Sequence, residues 1–309
     1  MPMASVPTRL GAHCTRVALA VLLSASAAAQ QGGIEVFAGE TIFEKGIRIS
    51  VSHLYNVRDG LRSGTDSVDD PLGRKLTENR TVFGVDYGLT SDLQVSALVP
   101  FVNKALDTNV GSQDVSGLGD VALLAKYRFF LRNGRQRSMN MSIVGGVETP
   151  TGESERRDGP GLLPALLQPG NGAWNPFAAL SMTYGFGRAR VDSTLFYKIN
   201  TEGAADLERG DFVTLDLSGA YRVYHVKYPG PTVGIRAGVQ YRHESRAELA
   251  GISVTNSGSD MLLFKTSVGV HPTPDTDLAL GVEVPFWQDY NGQQLERGTR
   301  LVLKLGLRF

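Results

Sequence analysis

The sequence predicts an all-β protein, a transmembrane antiparallel up-and-down β-barrel of about twelve strands. Three observations carry this prediction: an export signal at the N-terminus, apolar and polar residues that alternate with period two, and connections that alternate between long and short. In lipid every backbone polar group must be paired within the protein, and strands achieve this in a closed barrel. A soluble β-sandwich also contains alternating strands, but it gives no reason for the alternation in connection length.

The first 29 residues have the features of a secretory signal peptide. Arg9 and Arg16 give a positive start, an apolar run follows from Val17 to Leu23, and Ala27 to Ala29 fit a small-residue cleavage site. The apolar run is far shorter than the roughly 20 residues of a transmembrane helix. Cys14, the only cysteine, lies in this segment. The mature chain is therefore expected to form no disulfide and to offer no thiolate for a metal or for catalysis.

Composition narrows the function classes. The 31 basic and 31 acidic side chains balance, and no basic block or aromatic–basic repeat points to a nucleic-acid partner. The 36 glycines exceed what a compact enzyme of this size usually holds. After the signal peptide, no apolar run approaches the length of a membrane helix.

Period-two alternation recurs along the mature chain. In the last run, leucines from Leu301 to Leu307 lie on one face, and Arg300, Lys304 and Arg308 lie on the other. An even number of such runs is the rule for bacterial single-chain barrels. The predicted strands lie near 47–55, 80–89, 93–102, 118–130, 139–149, 174–186, 189–199, 211–223, 232–242, 260–270, 277–287 and 299–309.

The connections between these runs predict the topology. Connections after odd-numbered strands are long, such as 56–79 and 150–173, whereas those after even-numbered strands are short, such as 187–188. Long outer loops and short periplasmic turns are typical of outer-membrane barrels, so both termini should face the periplasm. We expect a signal peptide at 1–29, an N-terminal periplasmic segment and candidate plug at 30–46, and the barrel at 47–309.

Aromatic residues fall near the ends of the predicted strands. Aromatics are common in strands generally, so their clustering at strand ends, rather than their number, favours two membrane-interface girdles. The expected periplasmic rim comprises Tyr87, Tyr127, Phe129, Tyr184, Phe186, Tyr221 and Phe309, and the expected outer rim comprises Tyr55, Phe101, Trp174, Tyr197, Tyr241 and Phe286. The terminal Phe309 also resembles the C-terminal signature by which the barrel-assembly machinery recognises its substrates.

Three segments carry a family resemblance: GLTSDLQVSALVPF (Gly88–Phe101), GLGDVALLAKYRFF (Gly117–Phe130) and GVETPTG (Gly146–Gly152). They resemble a family of outer-membrane channels associated by name with the meta-pathway of phenol degradation, and the resemblance covers most of the mature chain. It implies a barrel and, more loosely, a transport role for small organic compounds. It implies no catalytic residues. Related fatty-acid and toluene channels carry an N-terminal plug; here only Gln30 to Gly46 could serve, without a clear plug motif.

Strand parity places a set of charged residues in the lumen. A basic residue on the lipid face would cost about 2–4 kcal/mol near mid-bilayer, which favours the inward placement. The opposite charges could pair across neighbouring strands and fill the interior, or a basic excess could form a pore that favours anions. The candidate lumen-lining residues are Arg48, Asp86, Asp120, Lys126, Arg128, Glu148, Arg190, Asp192, Asp216, Arg222, Arg236, Arg242, Glu283, Arg300 and Lys304, with Lys198, Lys265 and Arg308 on the same face.

One long connection, 150–173, contains four leucines that an exposed loop rarely keeps: Leu162, Leu163, Leu166 and Leu167. We consider them a candidate constriction that folds into or over the mouth of the barrel. A short amphipathic turn on the outer surface explains them equally well.

We predict an outer-membrane channel or transporter for the passive passage of small solutes, with outer-membrane lipid and those solutes as partners. It is not expected to be an enzyme and needs no cofactor or metal, because no metal-ligand spacing occurs. His53, His225, His243 and His271 lie outside any nucleophile motif. The alternatives are a structural or partner-binding barrel and, less favoured, an outer-membrane hydrolase.

Overall fold

The computed structural model describes residues 37–158 and 161–309. The predicted signal peptide and residues 30–36 of the candidate plug lie outside the described residues. The predicted barrel is confirmed: twelve long antiparallel strands follow one another in chain order, and the last pairs with the first. They are β1 Ile47–Asp59, β2 Lys75–Gly88, β3 Leu93–Thr108, β4 Ala122–Gly134, β5 Arg137–Glu148, β6 Asn175–Phe186, β7 Ala189–Lys198, β8 Phe212–His225, β9 Thr232–Glu244, β10 Ser259–His271, β11 Thr276–Leu295 and β12 Arg300–Arg308.

The seam between β1 and β12 closes the barrel. Its register runs from Arg48 opposite Arg308 to Asn56 opposite Arg300. At the end of the seam the Phe309 N–H donates to the Ile47 carbonyl at 2.8 Å. Closure leaves the sheet without the unpaired edge that an open sheet would present to lipid.

The connections alternate in length, as the sequence predicted. Short turns at 89–92, 135–136, 187–188, 226–231 and 272–275 lie at the same end as residue 47 and the C-terminus. We call this the short-turn end and the other the long-loop end. Among the described residues, the longest loop at the long-loop end covers 149–174 and is called the mouth loop.

Several strands extend further toward the long-loop end than predicted. β2 begins at Lys75 rather than near 80, β3 continues to Thr108, and β11 continues to Leu295. The predicted strand 118–130 was wrong at its start, because Gly111–Leu118 forms a separate strand paired with β3. One extra residue is inserted at 119–121, so the chain bulges before β4 begins at Ala122.

The outer surface of the strands is apolar. Cross-strand neighbours such as Leu303 and Leu280, or Ile49 and Leu307, are both exposed, so the apolar side chains join into a belt around the barrel. A soluble monomer rarely exposes so continuous an apolar surface, whereas lipid covers it at no cost. The described residues contain no helix long and apolar enough to cross a membrane.

The aromatic residues predicted for the two rims lie on this outer surface. All are exposed except Tyr184, which is half-buried. At the long-loop end the Tyr197 hydroxyl donates to Asp211 at 3.0 Å and the Tyr241 hydroxyl donates to Asp260 at 2.5 Å. Rings against the apolar belt with hydroxyls on polar partners suit a membrane interface.

Candidate solute pathway through the barrel

The charged residues predicted for the lumen lie on the inner face of the barrel. On β7, for example, Arg190, Asp192 and Lys198 alternate with the outward Leu195 and Tyr197. Asp120 is an exception to the predicted strand placement, because it lies in the bulge before β4 rather than in a strand. Its side chain nevertheless points inward and is buried.

Residues 37–46, here called the N-terminal segment, run inside the barrel from the short-turn end. The Thr194 hydroxyl donates to the Phe37 carbonyl at 3.1 Å, and the Arg190 guanidinium contacts the Glu40 carboxylate at 2.8 Å. Nearer the end of the barrel, the Ile42 N–H donates to the Gln94 side chain at 3.0 Å. The segment therefore lies along the inner face of several strands rather than outside the barrel.

Gly39 shows how closely this segment follows the wall. Its N–H donates to the Thr183 hydroxyl at 3.0 Å, and its carbonyl accepts from the Ser142 hydroxyl at 2.5 Å. A Cβ atom added at Gly39 would lie 2.5 Å from the Asn140 carbonyl oxygen, so any other residue would push the segment away from β5.

Phe37 reaches an apolar cluster in the middle of the lumen. The cluster is formed by Leu124, Val144, Phe177, Ala179, Phe196 and Phe212, and Phe37 packs against it. The rings of Phe37 and Phe196 stack with their centroids 6.2 Å apart, a separation at which aromatic pairs attract. The N-terminal segment thus ends in an apolar contact at mid-barrel, which sequence inspection could not identify as a plug motif.

The mouth loop enters the barrel from the opposite end. Leu163 and Leu167 are buried against inward-facing Leu76, Leu106 and Leu295, Leu166 is partly buried, and Leu162 is exposed. The buried Lys104 ammonium donates to the carbonyls of Leu166 and Gln168, both at 2.8 Å. The leucine segment therefore lies in the mouth, and whether it restricts solute passage stays a prediction.

Asp120 holds the base of the mouth loop. Its carboxylate accepts from the Gly152 N–H at 3.0 Å and from the Asn171 N–H at 2.7 Å. Burial raises the pKa of this carboxyl group, and the two N–H donors offset only part of that effect. The bulge at 119–121 is what turns the side chain inward, and a sequence reading that continued the strand through this position could not show it.

Ion pairs occupy much of the remaining interior. The buried Glu283 carboxylate contacts Arg300 at 3.1 Å and Arg297 at 3.4 Å, and Lys265 bridges toward it from Asp216, to which it lies at 2.6 Å. Lys198 on β7 pairs with Glu148 on β5, and Arg242 pairs with Glu244 at 3.1 Å. Opposite charges thus pair across and along the strands, as one of the two interpretations of the sequence proposed.

Some interior charges were missed by the sequence prediction. Glu78, Lys104 and Arg297 are buried, yet they fell in stretches assigned to loops. The signal that could have found the first two is the period-two alternation, which continues through Leu76, Glu78 and Arg80 and through Lys104 and Leu106.

A cavity of about 460 Å³ remains beside the N-terminal segment at the short-turn end. We call it the vestibule. Arg188 and Pro274 of two short turns line it, so it reaches that end of the barrel, and Asp192, Arg236 and Lys304 line its inner part. Smaller cavities of about 40 and 20 Å³ lie deeper, and Phe37 lines both of them. The space through the barrel is therefore interrupted at mid-height.

The histidines of the described chain make ordinary contacts. His53 lies 3.0 Å from the Thr81 hydroxyl, His225 lies 3.2 Å from the Thr232 hydroxyl, and His243 lies 2.9 Å from Asp260. Within residues 37–158 and 161–309 no group of three or more His, Cys, Asp or Glu side chains is arranged to hold a metal ion.

The fold and its interior define a transmembrane β-barrel whose lumen is polar, paired and partly filled. The chain belongs to the family described as "Putative MetA-pathway of phenol degradation", whose model matches residues 72–299, as the sequence resemblance indicated. No curated protein matches the sequence.

Solved structures show the same architecture. An outer membrane channel from Pseudomonas putida F1 matches with a TM-score of 0.70 at 18% identity, over 91% of this chain and all of that one (100%). The beta domain of the Bordetella autotransporter BrkA matches with a TM-score of 0.47 at 11% identity, over 86% of this chain and 100% of that one. The CymD monoaromatic hydrocarbon channel matches with a TM-score of 0.39 at 10% identity, over 86% and 88%.

Proposed function

We propose that this protein is an outer-membrane channel for the passive passage of small solutes, including small organic compounds, and that the structure represents its closed state. The observation that carries the proposal is the vestibule of about 460 Å³ inside a closed barrel with an apolar exterior. That volume lies in the range of small-molecule sites. The family to which the chain belongs, and the channel function named for the Pseudomonas putida structure, support the same function.

The two inserted segments are the proposed gates. The N-terminal segment contacts the wall through Gly39, Glu40 and Phe37, and the mouth loop contacts it through Lys104 and Leu167. Neither is a strand of the barrel, so either can move without breaking the ladder of hydrogen bonds that closes it. In this proposal the leucines of the mouth loop form the outer constriction, and residues 30–46 act as the plug.

The orientation follows from the same geometry. Short turns, residue 47 and the C-terminus lie together at one end, which we assign to the periplasm as in other outer-membrane barrels. Phe309 is exposed beside the β1–β12 seam, where the barrel-assembly machinery could recognise it as the terminal residue of the last strand. The apolar belt would then lie in outer-membrane lipid.

The test is solute flux through the refolded mature chain. Folding is first shown by the loss of a heat-modifiable band shift on denaturation. Planar-bilayer conductance and liposome swelling with small uncharged solutes are then measured. We expect rare, small conductance steps for the intact chain and frequent larger steps after the N-terminal segment is removed. A folded barrel that stays silent in both assays, with and without the segment, would contradict the channel function and support a structural barrel.

A further inference from the structure

The vestibule differs from the rest of the interior in how its space arises. At this level β8 to β11 present small residues inward, including Ala220, Gly234, Gly269 and Ala279. A Cβ at Gly234 or Gly269 would meet no atom closer than 3.5 Å, so these glycines are not required by close backbone contact. What they provide is room, in a lumen that is elsewhere filled by ion pairs and apolar rings.

The charge around this space is strongly unequal. Six basic side chains line the vestibule, and only two acidic ones do. The basic residues are Arg188, Arg190, Arg222, Arg236, Lys304 and Arg308, and the acidic residues are Asp192 and Asp277.

Both acidic groups are already engaged by arginines. Asp192 accepts from Arg190 at 2.8 Å and from Arg236 at 2.6 Å, and Asp277 pairs with Arg48 at 3.1 Å. Arg48 does not itself line the vestibule, so the Asp277 charge is offset from outside it. The vestibule therefore retains a positive field that its own carboxylates do not cancel, and low-dielectric walls focus such a field.

We infer that the vestibule binds small organic anions, and specifically carboxylates. Guanidinium groups match a carboxylate in shape and in hydrogen-bond donors, and a cavity of about 460 Å³ accommodates a compact organic acid with its hydration water. The deeper boundary of the space carries the rings of Phe37 and Phe196, so an aromatic carboxylate fits the sequence of environments from the opening inward. The inference rests on the proposed function in taking the bound acid as a solute of the channel.

Binding can be measured without any flux. Our probes are 4-fluorobenzoate and 4-fluorobenzamide, which have nearly the same shape and differ in charge. Each is titrated against the folded mature chain in non-ionic detergent, and binding is followed by ¹⁹F NMR with empty micelles as the blank. We expect the carboxylate to bind about tenfold more tightly than the amide, because only the carboxylate forms charge-assisted hydrogen bonds.

Three variants locate the site. The double variant Arg222→Gln with Lys304→Gln should weaken carboxylate binding about fivefold and leave amide binding unchanged. Gly269→Leu should weaken both probes, because its side chain fills the space. Arg132→Gln, which removes the same charge from the exposed end of β4 outside the vestibule, should change neither. Equal affinities for the two probes, or a carboxylate affinity that the double variant leaves intact, would overturn the inference.

These outcomes separate the inference from the proposed function. A conducting barrel that binds both probes equally keeps the channel and loses the anion site. A silent barrel that still prefers the carboxylate at Arg222 and Lys304 keeps the anion site and loses the channel.

Discussion

The ring of Phe37 lies nearly parallel to that of Phe196, with an angle of 12° between the planes. Phe196 in turn packs against Phe177 and Phe212, with centroids 5.6 Å apart in both pairs. The end of the N-terminal segment is thus held by a cluster of rings from β6, β7 and β8. This contact is apolar, whereas the contacts nearer the short-turn end are hydrogen bonds and one ion pair.

The first prediction concerns this stack. Phe37→Ala should release the N-terminal segment, because an aromatic pair contributes about 0.5–1.5 kcal/mol beyond its buried area. A loss of about 1.4 kcal/mol raises the population of the displaced state about tenfold. We expect a matching increase in the frequency of conductance steps in planar bilayers. Phe43→Ala is the control, because that ring belongs to the same segment and is 56% exposed; an equal increase for both variants would show that the stack is not the latch.

The second prediction concerns the anchor of the mouth loop. Lys104→Met keeps the aliphatic stem but removes the ammonium group that two loop carbonyls accept from. Two buried carbonyls then lose their donor, at a cost of about 1–3 kcal/mol each. We expect faster proteolysis within 149–174 and larger solute flux.

Deleting Leu162 to Leu167 tests the same loop more directly. This deletion removes the leucines that pack against Leu76 and Leu106. If the segment restricts passage, flux of small uncharged solutes should rise. Unchanged flux in a folded deletion variant would reject the constriction and leave the leucines with a packing role only.

The third prediction concerns the buried pair of Lys198 and Glu148. Both side chains are almost fully buried, and Asn175 also approaches the Glu148 carboxylate at 3.4 Å. Glu148→Gln leaves the lysine charge buried without its counter-ion, which costs about 3–5 kcal/mol. The urea midpoint of unfolding in detergent should fall accordingly.

The control for that pair is exposed. Arg156 and Glu153 form an ion pair in the mouth loop with both side chains more than 40% accessible. Glu153→Gln should shift the unfolding midpoint little, because exposed pairs contribute about 0–1 kcal/mol. Equal shifts for the two variants would mean that water screens the lumen pair as it screens the surface pair.

The fourth prediction tests which face meets lipid. Leu303 is 55% exposed on the outer surface, while Ser267 lines the vestibule. Leu303→Arg should destabilise the barrel in lipid by about 2–4 kcal/mol, because a charge near mid-bilayer loses its water. Ser267→Arg should destabilise it much less, since its charge stays in contact with water. The measurement is urea unfolding in vesicles, and a reversed order would show that the faces are assigned the wrong way.

The strand pattern and its inward face were predictable, because a side-chain period of two is a local property. Arg300 and Lys304 could be placed on the inner face from the residues beside them. The ends of the strands were less predictable. Glu78 and Lys104 lie in polar stretches that resemble loops, and they remain in strands because neighbouring strands and buried ion pairs support them.

The sequence by itself determined the class of fold, the count of strands and the alternation of long and short connections, because each depends on residues close in the chain. Only the tertiary structure decided that residues 37–46 lie inside the barrel, that the mouth loop packs on Leu76 and Leu295, and that basic groups surround an unfilled vestibule. These features join residues far apart in sequence, such as Arg190 and Glu40. No local pattern encodes such contacts, since they form only when the closed barrel brings its strands around a common interior.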